Sequence, residues 1–371
     1  MKYYIIAGEA SGDLHGSNLM KALQRHDVNA EFRFWGGDLM RQVSETLVKH
    51  YRDLAFMGFL EVVMNLKTIS KNLTFCKKDI EAYQPDVIIF IDYPGFNLRI
   101  AKWAKQKGFK THYYISPQIW AWKENRITAI KRDVDKMYVI LPFEKDFYEK
   151  KHHYSVAFVG HPLIDAISSR AQVDEFEFKN NFELNEKPII ALLPGSRKQE
   201  IRKMLSVMLS VVKDFPDYQF VIAGAPSQEY EFYKPFITNE NVKFISNKTY
   251  DLLSVSSAAL VTSGTATLET ALFKVPQVVC YKGSWLSYQI GKRVVNLEYI
   301  SLVNLIMNKP VLTELIQNDF NTKRLQSELN AILATEKREA LFLAYFELEK
   351  QLGGKGASEK TASLIYNTIK D

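Results

Sequence analysis

Only two cysteines, Cys76 and Cys280, occur among 371 residues, far apart and in no ligand spacing. That excludes a disulfide framework and a cysteine-bound structural zinc, and it points to a reducing compartment, by default the cytoplasm. Long hydrophobic runs are missing too. The most lipid-like stretch, LAFMGFLEVVMNL from Leu54 to Leu66, is interrupted by Glu61 and falls short of the roughly 20 apolar residues of a spanning helix. The apolar run after Lys2 ends at Gly8 and Glu9, too early for a secretory leader, so it reads as a first strand. Net charge is small: 48 Lys and Arg against 42 Asp and Glu leave +6, which is no nucleic-acid signature. The opening IIAGEASGDLHG also lacks a dinucleotide fingerprint. Gly8, Gly12 and Gly16 are spaced by four rather than as G-x-G-x-x-G, and Glu9 and Asp13 stand where a pyrophosphate would be repelled.

What the chain has is alternation. Strand-length apolar runs, YYIIA at Tyr3, VIIFID at Val87, THYYIS at Thr111 and KMYVIL at Lys136, are separated by helix-period segments, the pattern of parallel sheets covered by helices. A second cycle begins near Pro188 and continues through YQFVIAGAP, NVKFIS, AALVTSG and PQVVCY. The fold class is therefore α/β, with two Rossmann-like parallel-sheet domains, 1–165 and 166–344, and a C-terminal helix over about 345–371 that packs back on the first. Two such sheets are expected to put their strand-end loops at a shared cleft.

Those loops hold the candidate chemistry. LPGSRKQE places Ser196 and Arg197 at a helix start, where free N–H groups and a guanidinium suit a diphosphate and Arg197 stabilises charge on a departing phosphate; the plainer reading is a Ser196 cap and an Arg197–Glu200 pair. VTSGTATLETALF repeats the arrangement with Ser263, Gly264 and Thr265, and Glu269 one turn in suits a ribose diol, although small residues at a helix start are also common packing devices. FIDYPGFNLRIA ends its strand in Asp92, followed by Asn97; the acid is placed for a general base or for capping a turn. In SPQIWAWKENR, the spacing puts Trp120 and Trp122 on one face of an extended segment, for a sugar, a lipid interface or a core. Phe56, Met57, Phe59, Leu60 and Val63, trailed by Lys67, Lys71, Lys77 and Lys78, have the composition of a helix on an anionic membrane surface, and equally of a helix buried on a sheet. His161 in VGHPLID is as well explained by packing as by catalysis.

Six motifs, AGEASGDLHG, IDYPGFN, SPQIWAW, VGHPL, LPGSR and SGTATLE, stand in the order and spacing of the lipid-A-disaccharide synthase family, and the chain resembles that family over essentially its whole length. The resemblance implies a two-domain glycosyltransferase fold of the B type, inverting, without metal or cofactor. It implies a cytoplasmic enzyme peripheral to the inner membrane of a Gram-negative bacterium, with no nucleic-acid partner and with room for a homodimer. Its substrates would be UDP-2,3-diacylglucosamine and the acylated glucosamine 1-phosphate acceptor, joined β-1,6 with release of UDP. Ser263, Gly264, Thr265 and Glu269 match the family's nucleotide loop and Arg197 its LPGSR arginine, while Asn304, Glu314 and Gln317 fall in a further matching stretch as UDP or cleft contacts. Glu9, Ser11 and Asp13 match the opening motif and would face a sugar. One departure matters: many relatives carry a second acid where this chain has Gly95. Deprotonation of the acceptor hydroxyl then falls to Asp92, Glu9 or Asp13, with Asp92 the first choice. A peptidoglycan N-acetylglucosaminyl transferase, a UDP-sugar epimerase and a non-catalytic UDP-sugar or lipid-binding module are the alternatives.

Overall fold

The computed structural model describes residues 1–54, 66–283 and 298–370. The described chain divides into two compact units, Met1–Ser169 with Leu352–Asp371, and Arg170–Gln351.

Unit 1 is built on a parallel sheet of strands β1 (Lys2–Ala7), β2 (Glu31–Gly36), β3 (Leu47–His50), β4 (Val87–Ile91), β5 (Thr111–Tyr114), β6 (Lys136–Val139) and β7 (Ala157–Phe158). Their order in space is β3-β2-β1-β4-β5-β6-β7, every pair parallel. The central strands β1 and β4 carry apolar side chains on both faces, and Tyr3 to Ala7 and Val87 to Ile91 are fully buried. Such strands need helices on both sides of the sheet, which the crossovers supply. The first crossover helix, Ala10–His26, approaches closely because Gly12 and Gly16 carry no side chain. A Cβ on Gly16 would fall 2.6 Å from Met40 Sδ, and one on Gly12 would fall 3.1 Å from Ala7 Cβ.

The last helix, Ala357–Lys370, packs on Ala10–His26 within the same unit. Asp165 fixes its start by accepting from Gly356 N at 2.6 Å and Ser358 N at 2.9 Å, and Glu359 pairs with Arg25 and with His26 Nε2. The helix before it, Thr335–Gln351, buries Leu341, Tyr345 and Leu348 in unit 2, so the chain returns to unit 1 at Leu352 rather than near 345.

Unit 2 repeats the plan with β8 (Ile189–Leu193), β9 (Gln219–Gly224), β10 (Val242–Ser246), β11 (Ser256–Thr262), β12 (Gln277–Tyr281) and β13 (Glu314–Ile316), ordered β10-β9-β8-β11-β12-β13 and again parallel throughout. Among the described residues no helix is long and apolar enough to cross a membrane.

Candidate functional site

In each sheet the chain runs outward to one side and then resumes on the other. In unit 1 it goes from β1 to β2 and β3, then begins again at β4. In unit 2 it goes from β8 to β9 and β10, then begins again at β11. Loops leaving the two strands at such a reversal diverge and open a crevice at the strands' carboxyl ends. The registers Ala7↔Ile91 and Leu193↔Val261 put the loops that follow side by side. Gly8–Glu9 thus adjoins Asp92–Tyr93 in one unit, and Gly195–Arg197 adjoins Ser263–Thr265 in the other.

The unit 1 crevice is acidic and strained. Asp92 and Tyr93 are consecutive non-glycine residues in the left-handed region, at φ +43° and +49°, a conformation costing roughly 1–2 kcal/mol per residue. Three bonds hold the Asp92 peptide there. Its N–H donates to Tyr114 O at 3.1 Å, and its carbonyl accepts from Asn97 Nδ2 at 2.8 Å and from the Tyr113 hydroxyl at 2.5 Å. Strain maintained by so many contacts is a mark of functional positions. Burial first, and then the negative charge of Glu9, push the Asp92 carboxyl up to about 6, with the Tyr93 N–H opposing. Glu9 itself is exposed, at the start of the helix Ala10–His26, and Ser11 is exposed beside it.

Asp13 is placed differently. Its carboxylate is buried and accepts from three main-chain N–H groups, Gly37 at 2.7 Å, Leu39 at 3.0 Å and Met40 at 3.0 Å. It organises the start of the helix Asp38–Arg41 and does not face a sugar. Asn97 is likewise fully buried, its amide bridging the carbonyls of Ile6, Ile91 and Asp92. The two indoles do not share a face, because the segment turns rather than extends: Trp120 is half-buried, donating to Glu144 Oε1 at 3.3 Å and packing edge-on to Phe143, while Trp122 is exposed beneath the cations of Lys123 and Arg126. His161 caps the helix Pro162–Ser168 by accepting from Leu163 N, and burial holds its pKa down at about 3, with His15 adding repulsion. Phe56, Met57, Phe59, Leu60 and Val63 lie outside the described residues.

In unit 2 the β8 loop turns at Gly195, φ +101°, and opens the helix Lys198–Met208 with Arg197 at its N-cap position and Ser196 and Arg197 exposed. A guanidinium at the positive end of a helix is unfavourably placed unless an anion comes between them. Glu200 folds back toward this turn, accepting from Ser196 N at 3.3 Å rather than pairing with Arg197. The β11 loop turns at Gly264, φ +150°, where a Cβ would meet nothing within 4 Å. Ser263 donates to Ile300 O at 2.8 Å, and Thr265 is exposed at the start of the helix Thr265–Leu272. On that helix Glu269 accepts from the Tyr250 hydroxyl at 2.7 Å. Burial raises the Glu269 pKa and the Tyr250 bond works against that rise. Tyr250 carried no motif in the sequence; it lies just after NVKFIS, the third strand-like run of the second cycle.

Asn304 and Glu314 form a scaffold rather than an open contact surface. Asn304 is buried, exchanging bonds with Leu312 N and O and donating to Glu314 Oε1 at 3.0 Å, while Glu314 accepts from Ile300 N and Ser301 N. They pin the segment that Ser263 touches. Gln317, at φ +55° after β13, has a buried Nε2 with no partner among the described residues. Among the described residues no group of three or more His, Cys, Asp or Glu could hold a metal ion. The one Asp-x-Asp, Asp133 and Asp135, borders the amino end of β6, where the two acids are committed to Arg132 and to Lys105.

The lipid-A-disaccharide synthetase family model matches residues 3–366. Among curated relatives, the lipid-A-disaccharide synthase of Syntrophus aciditrophicus is 39% identical, covering 99% of this chain and 97% of its own, and that of Coxiella burnetii (strain CbuK_Q154) is 37% identical with 98% of each chain covered. Among solved structures, the UDP-GlcNAc 2-epimerase of Neisseria meningitidis bound to UDP-GlcNAc superposes with a TM-score of 0.69 at 14% identity, covering 100% of both chains, a likeness of fold.

Proposed function

The chain belongs to the lipid-A-disaccharide synthase family, and on that premise we propose that Asp92 in unit 1 and the Arg197 turn in unit 2 carry the reaction. It is a glycosyltransferase of the B-type fold that uses a UDP-sugar donor and a lipid-phosphate acceptor. The finer reading is that UDP-2,3-diacylglucosamine is the donor and 2,3-diacylglucosamine 1-phosphate the acceptor.

Inverting transfer is a direct displacement: the acceptor oxygen attacks the anomeric carbon as the bond to the diphosphate breaks. The acceptor 6-hydroxyl must lose its proton as it attacks. A carboxylate with a pKa near 6 is ionised at neutral pH, yet basic enough to take that proton. Asp92 meets this requirement. Asp13 is buried with three of its about four acceptor positions taken by main-chain N–H groups, and Glu9 acts by raising the pKa of Asp92. At the other end of the reaction, Arg197, the Ser196 hydroxyl and the N–H groups at the start of the helix Lys198–Met208 receive the departing diphosphate charge. Gly264 and Thr265 contribute donors and close approach, Ser263 anchors the loop through Ile300 O, and Glu269 takes the ribose diol. Asn304 and Glu314 support this loop from behind, and Gln317 offers an amide donor that has no partner among the described residues.

The observation that carries the proposal is the placement of Asp92 in a strained left-handed turn, held by Asn97 and Tyr113 at the sheet's reversal point beside the Glu9 loop. UDP release from purified protein given both acylated sugars tests the assignment as a whole, since a binding module would release none, and release without acceptor would indicate hydrolysis. We also place Phe56, Met57, Phe59, Leu60 and Val63 at the cytoplasmic face of the inner membrane, supported by the exposure of Lys67, Lys71 and Lys78 on the helix Leu66–Tyr83. Flotation with anionic vesicles at low salt, weakened at high salt, is the expected behaviour; failure to float at either would overturn the membrane reading.

A further inference from the structure

We propose that Tyr250 is a positioning residue for Glu269, holding one carboxylate oxygen so that the remaining acceptor sites are presented to the two hydroxyls of a ribose. The inference rests on the reading of unit 2 as the nucleotide-holding half.

Tyr250 lies on the short helix Thr249–Ser254 that follows β10, while Glu269 lies on the helix that follows β11. The bond between them, 2.7 Å from hydroxyl to Oε1, therefore joins two elements on opposite sides of the sheet's reversal point. The Tyr250 ring is set from two sides. It packs against Phe273 with centroids 5.3 Å apart, and the Arg170 guanidinium lies 5.3 Å from its centroid. Arg170 is held in turn by Asp251, which also binds Lys248 Nζ at 3.0 Å.

A glutamate carboxylate has about four acceptor positions and turns easily about its last torsion. A diol needs two of those positions at fixed directions. One bond from a rigid donor stops the rotation and leaves enough acceptors for the diol. Because its partner is an anion, the Tyr250 hydroxyl acts as the donor, and the Glu269 charge together with burial keeps it protonated. The same bond holds the Glu269 pKa down against burial, so the carboxylate stays ionised over a wider range of pH. Ring packing alone would be satisfied by phenylalanine, which makes the hydroxyl separable from the ring.

The test is UDP binding by titration calorimetry across pH, with 2′,3′-dideoxy-UDP as the comparison ligand, for the wild type, Tyr250→Phe and Glu269→Gln. Tyr250→Phe is expected to weaken UDP about 5- to 10-fold, to leave the dideoxy nucleotide unaffected, and to move the acid limb of UDP binding to higher pH. Wild-type affinity with an unmoved limb would overturn the proposal, and so would an equal loss for both ligands, which marks a structural effect. If Glu269→Gln binds UDP and its dideoxy form as the wild type does, the ribose reading itself falls. A Glu269→Gln defect beside an intact Tyr250→Phe sinks only the role of Tyr250.

Discussion

Glu9 lies close enough to Asp92 for its charge to be felt: after burial, it is the second cause of the rise that carries the Asp92 carboxyl to about 6. The two residues leave adjacent strands in register, and the pairing is a consequence of the sheet's reversal at β1 and β4. A base whose pKa is raised by a neighbour's charge should report the loss of that neighbour.

The rate profile follows. kcat/KM is expected to fall as pH drops through about 6, as Asp92 takes up a proton. Glu9→Gln should move that acid limb to lower pH while leaving the plateau within about an order of magnitude. A limb that stays in place would remove the coupling between the two carboxylates.

Gly95 offers a complementary change. It is exposed near the start of the helix Pro94–Gln106, and a Cβ there meets nothing within 4 Å. Gly95→Asp should fold normally and gain a few tenths of a kcal/mol from the helix dipole, roughly 0.3–1 kcal/mol at most. Its added negative charge should raise the Asp92 pKa further and shift the acid limb upward. Calorimetric melting and the pH–rate profile check both parts.

How far the sequence could be read depended on whether a feature was local. Strands buried on both faces, such as VIIFI at Val87 and IIALL at Ile189, show as apolar runs, and the glycine turns after them mark the crevices. EFRFWG at Glu31 and ELI at Glu314 escaped notice because charged residues break the run and because one of them spans only three residues. Asp13 read as sugar-facing because its three N–H partners lie 24 to 27 residues further along the chain. Asn97 and Asn304 match family motifs for a structural reason, since each closes main-chain gaps between elements. Motif spacing cannot distinguish an amide that contacts a ligand from one that holds the loop contacting it.

Three buried histidines, His15, His112 and His161, make unit 1 sensitive to acid, since burial lowers the pKa of each, that of His112 to about 4. Burial lowers the pKa of His15 to about 4, with Asp165 opposing, and that of His161 to about 3, with His15 adding repulsion. Each is neutral when folded and takes up a proton more readily when unfolded, at the ordinary value of 6.5. Stability is therefore intact above that value and is lost as pH falls below it, by roughly 2 kcal/mol per histidine at about pH 5. Urea unfolding of the wild type and of His15→Gln/His161→Gln should show this slope in the first and a flatter dependence in the second, with the share of His112 remaining.

Arg197→Ala should lower kcat by about 100- to 1,000-fold if its guanidinium meets charge developing on the leaving diphosphate. Arg197→Lys should recover only part of that, because a point charge replaces a two-pronged donor. Activity within a few-fold of the wild type in the alanine variant would take Arg197 out of the reaction.

Asp92→Asn addresses the account most directly, because it removes the base while Asn tolerates the left-handed backbone at φ +43°. The raised pKa means that the ionised carboxylate costs stability, fully relieved below 3.8 and present above about 6, so the variant should be more stable than the wild type at pH 7.5 by on the order of 1–3 kcal/mol. The decisive quantity is kcat for disaccharide formation at pH 7.5, with UDP affinity measured in parallel. The account predicts a fall of about 100- to 10,000-fold with UDP binding unchanged; a variant that turns over within a few-fold of the wild type would contradict it.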